Sequence, residues 1–344
     1  MLKVVKLFGD NMKKLLLLIL LTFIAISCNK KSLAQDLNTK KEIQKTTVTK
    51  TTNNNNKDIK VDLKIASKQK AEKQNTKTFM WKVENGKSNM YLLGSIHVAK
   101  PSLYPLNSKI TNAYKNSKNL VVEVDVQKDQ ISLQMKTMQV GMFKNKTLKD
   151  VLPSSLYAEF SKRATEIGLP MLAINKMKPW LASLSLTIFQ MKKLGYDPQS
   201  GIDLHFLTLA KKDNKNILEL ETGEFQLDLL AGFSKELNIL NIKLMLKDWD
   251  KYQGLLDKMF NEWKIGKTKT LTNLSYKYAN KYPELKIYYK KLLIDRNINM
   301  AKKLDKMLKT DKNSYFVVVG GGHLIGKEGI IELLRKKGYK ISQQ

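Results

Sequence analysis

From position 79 onward, apolar residues fall into two kinds of run. Short β-prone runs occur in MWKV, YLLGS, NLVVEVDV, NILELE and YFVVVGG. Between them, apolar positions recur every three to four residues, the period of a helix. The first two runs flank Glu84-Asn85-Gly86-Lys87, and Asn-Gly is a strong tight-turn signal, so residues 78–98 are predicted to form a β-hairpin. Residues 119–126 and 214–221 are predicted strands, and residues 107–117 a short helix between the second and third strands. Residues 128–212 are predicted helical, broken at Pro153, Gly168-Leu169-Pro170, Lys178-Pro179 and Asp197-Pro198, and residues 224–310 are again helical. A strand ending at Gly-Gly-Gly-His, a helix and a short closing strand complete the pattern. Strands separated by helices predict an α/β domain over 78–344: a central β-sheet with flanking helices and a large helical insertion.

The pattern changes before residue 78. Residues 12–28, MKKLLLLILLTFIAISC, join two lysines to a short apolar stretch and end at small residues and Cys28. The stretch is shorter than the ~20 apolar residues of a spanning helix, so 1–28 is predicted to be a signal peptide. Met1 and Met12 are both candidate starts. Ala25-Ile26-Ser27-Cys28 resembles a bacterial lipobox, although Leu is more usual where Ala25 stands. Lipidation of Cys28 would tether the protein to a bacterial membrane on its extracytoplasmic side. The alternative is an anchor helix with an incidental cysteine. Residues 29–77 are polar, repetitive and rich in Asn, Lys and Thr. They cannot bury enough surface to offset the entropy of ordering and are predicted to be a disordered linker.

The net charge of +30 raises the question of nucleic acid or an anionic surface. The charge is Lys-dominated and spread along the chain, with no zinc-finger or RNA-recognition signature and no cluster of Arg with aromatics. Nucleic acid is therefore not an expected partner, and adhesion to anionic surfaces fits better. The hydrophobic fraction, 42%, is enough for a real core, and the single cysteine excludes an internal disulfide.

Two of the three histidines, His97 and His323, stand in the same setting: an apolar run ending in Gly-x-x-His. Gly94 and Gly320 permit backbone angles and close approaches that other residues resist. Histidines just past strand ends lie where α/β sheets place their sites, and imidazole is both a common metal ligand and the usual general base near neutral pH. The alternative is two structural histidines. A carboxylate is the expected third ligand for a metal held by two histidines. Glu123, set among valines, is the first candidate, with Asp125 on the same strand face by alternation; both would otherwise be exposed acids on an edge strand. Glu219 and Glu221 show the same alternation more weakly. Asp203 reads as an N-cap or first-turn residue of a helix, and His205 behind it as a packed or supporting residue. Arg296 and Asn297 lie on a later helix, where an arginine beside a metal site could stabilise an oxyanion.

MWKVENGKSNMYLLGSIHVAKPSLYPL with VVEVD, followed in order by GIDLHFLTLAKK, LELETGEFQLDLL, LLIDRNINMA and FVVVGGGHLIGKEGIIELLRKKGYKI, resembles the TraB/GumN (TraB/PrgY/TIKI) family across most of 79–341. The paired Gly-x-x-His is that family's hallmark, and Ser95 stands where many members have Thr. The resemblance implies a TIKI/TraB-like fold. Animal TIKI members look like metal-dependent, membrane-tethered proteases, which would make His97 and His323 metal ligands, Glu123 a further acidic site residue and Arg296 a supporting one. Other relatives are linked to peptide pheromones or to a polysaccharide gene cluster. The expected function is thus a metal-dependent hydrolase, a peptidase using Mn, Co or Zn on a peptide or protein substrate. The alternatives are a binding protein that sequesters a secreted peptide and an accessory protein in surface polysaccharide processing.

Overall fold

The computed structural model describes residues 77–277, 282–310 and 312–344. The signal peptide, Cys28 and nearly all of the linker lie outside the described residues. The described chain forms a six-stranded mixed sheet: β1 (Met80–Val83), β2 (Asn89–Ser95), β3 (Asn119–Val122), β4 (Asn216–Glu219), β5 (Ser314–Gly320) and β6 (Ile341–Gln343), in the order β4-β3-β5-β2-β1-β6. β1 and β2 form the antiparallel hairpin that Asn85-Gly86 predicts, and β6 pairs antiparallel with the outer side of β1. β4, β3, β5 and β2 are mutually parallel, so all four end at one edge of the sheet. β5 sits between β3 and β2 and is closed in on both faces: Val317, Val318 and Val319 are fully buried. That is why its sequence is a continuous apolar run rather than an alternating one.

Helices account for most of the remainder. α1 (Ser108–Lys115) connects β2 to β3, and the Asn107 side chain caps it by accepting from Lys109 N at 2.9 Å. Between β3 and β4 lie α2 (Gln130–Gly141), α3 (Ser154–Glu166), α4 (Pro179–Lys193) and α5 (Ile202–Lys212). Pro179 at the first position of α4 suits a residue with no N–H and a helical φ. α5 packs on β3, β4 and β5 as the crossover helix. Between β4 and β5 lie α6 (Gly223–Ala231), α7 (Lys235–Lys247), α8 (Tyr252–Lys264), α9 (Lys269–Lys277), α10 (Pro283–Tyr289) and α11 (Asp295–Thr310). A π-helical turn at Lys290–Ile294 joins α10 to α11. Thr222 and Ser234 cap α6 and α7 by accepting from Phe225 N and Leu237 N, each at 3.2 Å. The helical insertion is therefore in two pieces, one on either side of β4. Among the described residues no helix is long and apolar enough to cross a membrane.

β3 differs from its predicted length, ending at Val122 instead of continuing to 126. Beyond Val122 the chain turns, with Gln127 N donating to Asp125 Oδ1 at 2.9 Å. Glu123 and Asp125 therefore do not share a strand face. Glu123 points into the edge where the parallel strands end, while Asp125 pairs with Lys211 Nζ at 3.2 Å.

Candidate active site

Each of the four parallel strands delivers a polar side chain within three residues of its end. His97 follows β2, Glu123 follows β3, Glu221 follows β4 and His323 follows β5. The edge beyond the carboxyl ends of parallel strands is where α/β sheets bind ligands. The two Gly-x-x-His segments meet there out of step by one residue: Gly94 pairs with Val319 and Ser95 with Gly320. After Ser95 the chain bends towards His97, whereas Gly321–Leu324 forms a helical turn, α12, that carries His323.

The glycines have different work. A Cβ on Gly320 would lie 3.0 Å from His97 Nε2, 3.2 Å from Glu123 Oε1 and 3.4 Å from His323 Cδ2. Gly320 is thus the floor over which the three side chains converge. A Cβ on Gly94 would lie 2.4 Å from the Phe79 ring. Gly94 makes room for core packing, and its carbonyl accepts from Trp263 Nε1 of α8 at 2.6 Å.

His97 Nδ1 lies 2.7 Å from Asp203 Oδ2, which also accepts from Ser95 Oγ. Asp203 sits in the first turn of α5, behind Gly201 at the cap. His323 Nδ1 lies 2.6 Å from Asn297 Oδ1, and Asn297 Nδ2 donates to the Glu328 carbonyl at 2.8 Å. That second bond orients the Asn297 amide with its oxygen towards the ring, so the His323 proton is on Nδ1. Both imidazoles thereby keep Nε2 for something else. His323 Nε2 is 3.8 Å from Glu123 Oε1. His97 has the more exposed side chain, 18% against 6% for His323.

Glu123 is held from both sides. Oε1 accepts from Gly320 N at 2.6 Å, and Oε2 accepts from Arg296 Nη2 at 2.6 Å and Gln226 Nε2 at 3.2 Å. Arg296 also grips Glu221 through Nε, at 2.9 and 3.0 Å, and Nη2, at 2.7 Å, and Nη1 donates to the Leu292 carbonyl in the π-helical turn at 3.2 Å. Gln226 Nε2 bridges the two carboxylates, reaching Glu221 Oε2 at 2.8 Å. Arg296 is thus engaged with protein oxygens almost completely. The oxyanion-stabilising role expected from sequence gives way to one of positioning Glu123.

The electrostatics follow from these contacts. Burial disfavours the charged form of Glu123, but the Arg296 guanidinium and the Gly320 N–H overcome it and hold its pKa below the usual carboxylate range. Burial and the nearby Arg296 charge lower His323 to about 3, so its imidazole is neutral at physiological pH. Burial also opposes protonation of His97, yet Asp203 outweighs it and the pKa is raised. The cluster buries three carboxylates, of Glu123, Glu221 and Asp203, against the Arg296 guanidinium and the His97 imidazole, whose charged form Asp203 favours.

The remaining sequence candidates lie apart. Asp125 and Glu219 face each other's loops, with Asp125 N donating to Glu219 Oε1 at 2.8 Å. His205 packs between the rings of Tyr104 and Phe206, with centroids 4.7 and 5.1 Å away, and burial lowers its pKa. The sequence reading passed over Gln226 and Trp263. Gln226 had a local signal, a polar residue in the apolar stretch FQLDLLA. Trp263 had none, because its partner Gly94 is 169 residues away.

The histidines and Glu123 suit a divalent ion in chemical kind. Metal-bound histidines usually give their other ring nitrogen to an oxygen, as His97 gives Nδ1 to Asp203 and His323 to Asn297. Among the described residues, however, no three His, Cys, Asp or Glu side chains are gathered closely enough to form a ligand set.

The model of the TraB/PrgY/gumN family matches residues 79–343. The uncharacterized protein YbaP of Escherichia coli (strain K12) is 26% identical over 251 residues, which cover 73% of this chain and 89% of YbaP. A metalloprotease TIKI homolog of Amphimedon queenslandica is 21% identical over 322 residues, covering 77% of this chain and 61% of that protein. Metalloprotease TIKI2 of Xenopus tropicalis is 38% identical over 60 residues, 17% of this chain and 12% of its own. No solved structure matches the chain. With more than half of its length matched, the chain belongs to the TraB/PrgY/gumN family.

Proposed function

We propose that the protein is a metal-dependent hydrolase, a peptidase acting on secreted or surface peptides, tethered through Cys28 to a membrane on its extracytoplasmic side. One observation carries the reading: His97 and His323 each have Nδ1 engaged by a side-chain oxygen and Nε2 left on the side of Glu123. Similarity to proteins named metalloproteases supports it.

His97, His323 and Glu123 would hold the ion, with Mn, Co and Zn the candidates. When bound, a divalent ion supplies a water of lowered pKa and polarises a carbonyl. The protein's part is to keep its donors neutral or charged as needed. Asn297 fixes the His323 proton on Nδ1, and Asp203 fixes the His97 ring and raises its basicity. Arg296 and Gln226 pin one oxygen of Glu123 and leave Oε1 on the histidine side. Arg296 and Asp203 are therefore positioning residues.

A second reading, a protein that binds a peptide without turnover, is favoured by the absence of a gathered three-residue ligand set among the described residues. Metal analysis of the purified full-length chain separates the two. The hydrolase reading expects close to one equivalent of a transition metal, removed by chelation and missing from His97→Ala and His323→Ala. A folded protein that takes up no Mn, Co or Zn supports the binding reading.

A further inference from the structure

Beside the candidate site the helices flank a partly open cleft of about 170 Å³ that the proposed metal site does not use. His97 and Gly320–Gly322 line one side of it. Its other walls are mostly apolar and include Phe79, Trp180 and Leu184 of α4, Leu244 of α7, and Leu256 and Trp263 of α8. Asn241, Glu262, Lys267 and Tyr289 add polar groups to the lining, while several of its other polar residues have their donors turned elsewhere. Ser183 Oγ donates to the Trp180 carbonyl, Thr187 Oγ1 to the Ser183 carbonyl, and Asn238 Nδ2 to the Phe233 and Ser234 carbonyls. Trp263 Nε1 donates to Gly94. The cleft offers an occupant mainly apolar surface.

Size narrows the class of occupant. An apolar cavity of roughly 150 Å³ stays dry and takes up benzene, so this one has room for a single aromatic ring or a leucine-sized group. Its continuity with His97 and the glycine floor puts any such group next to the reacting atoms. We propose that this cavity is a subsite for one bulky apolar side chain of the substrate peptide, and that Leu184, Leu244 and Leu256 set its specificity. The word substrate rests on the hydrolase reading; the pocket itself does not.

The test uses two readouts on the full chain. First, N-acetyl-phenylalaninamide and N-acetyl-alaninamide are titrated while the fluorescence of the wall residues Trp180 and Trp263 is followed. A saturable change is expected with the phenylalanine compound, none with the alanine compound over the same range, and loss of the change in Ser183→Phe, whose ring fills the chamber. Thr187→Phe replaces that variant should it fail to fold. Second, a peptide library is cut and the fragments sequenced. A pocket that distinguishes single methylenes does so by ~10–200-fold, so a bulky apolar residue is expected to exceed alanine by more than ~100-fold in kcat/KM at one position. Saturable phenylalaninamide binding by a protein that cuts nothing would sink the hydrolase reading and leave the pocket. Cleavage with no side-chain preference, unchanged by the filling variant, overturns the pocket and leaves the hydrolase. Equal binding of the two amides, or binding of decanoate in place of phenylalaninamide, also overturns it.

Discussion

His97 and His323 lie 226 positions apart in sequence yet face each other across one glycine. A side-chain carbon on Gly320 would stand 3.0 Å from His97 Nε2 and 3.4 Å from His323 Cδ2. The parallel pairing of β2 with β5 causes this, since Ser95 lies opposite Gly320 and both histidines follow within three residues.

The first prediction is on that glycine. Gly320 has φ −48° and ψ 133°, which alanine adopts without strain. Gly320→Ala therefore acts only through its methyl, pressing on His97 and Glu123. Misplacement by 1 Å in a site can cost ~10²-fold, and a shift of a few tenths should lower peptide cleavage about tenfold with the melting curve little changed. Activity equal to the parent would show that the three side chains do not work over this floor.

The second concerns Arg296. It is the one cation among Glu123 and Glu221, all of them nearly fully buried. Removing one partner of a buried ion pair costs about 3–5 kcal/mol, so Arg296→Met should be strongly destabilised in urea unfolding. Glu123→Gln is the milder case: Arg296 keeps Glu221, but the new amide nitrogen faces a donor at whichever oxygen position it takes, so stability should fall by about 1–3 kcal/mol, less than in Arg296→Met. A Glu123→Gln variant less stable than Arg296→Met would invert the assignment.

These contacts show how far the sequence could be read. The sheet, the hairpin and the helical pieces were legible because hydrophobic period and Asn85-Gly86 are local signals. His97, His323 and Glu123 stood out because each is a polar residue at the end of an apolar run. Their partners were not equally visible. Asp203 looked like a helix-start residue, which it is, but its bond to His97 depends on the start of α5 meeting the segment after β2, where Ile202 N donates to the Ile96 carbonyl. Asp125 was misassigned because alternation was carried past the end of β3. Arg296 was named but given a substrate-facing role, because nothing local shows that Glu221 and Leu292 engage its donors.

The third prediction addresses Asp203 and Asn297. Loss of an oxygen that orients a metal-bound histidine typically costs 10–100-fold in affinity. Asp203→Ala and Asn297→Ala should each weaken zinc binding within that range while leaving the stoichiometry of the saturated protein unchanged. Competition with a chelating dye measures this directly. Unaltered affinity in both would remove the two residues from the site's support.

The fourth concerns Cys28, which lies outside the described residues. Lipid attachment there requires the thiol. In detergent partitioning, Cys28→Ser should leave the membrane fraction or persist as a heavier, unprocessed precursor. The parent should stay with membranes, since several acyl chains hold where one is marginal. Identical mass and partitioning in both proteins would refute the anchor.

The central claim is that the two Gly-x-x-His segments and Glu123 form one hydrolytic site. It is tested most directly by peptide-library cleavage with added Mn²⁺, Co²⁺ or Zn²⁺, comparing the parent with His97→Ala, His323→Ala and Glu123→Gln. The expected result is cleavage by the parent and a loss of ~10²–10⁴-fold or more in each variant, the range for a positioned catalytic group, with all three still folded. A folded, metal-loaded parent that cuts nothing, or variants that cut as the parent does, would contradict it.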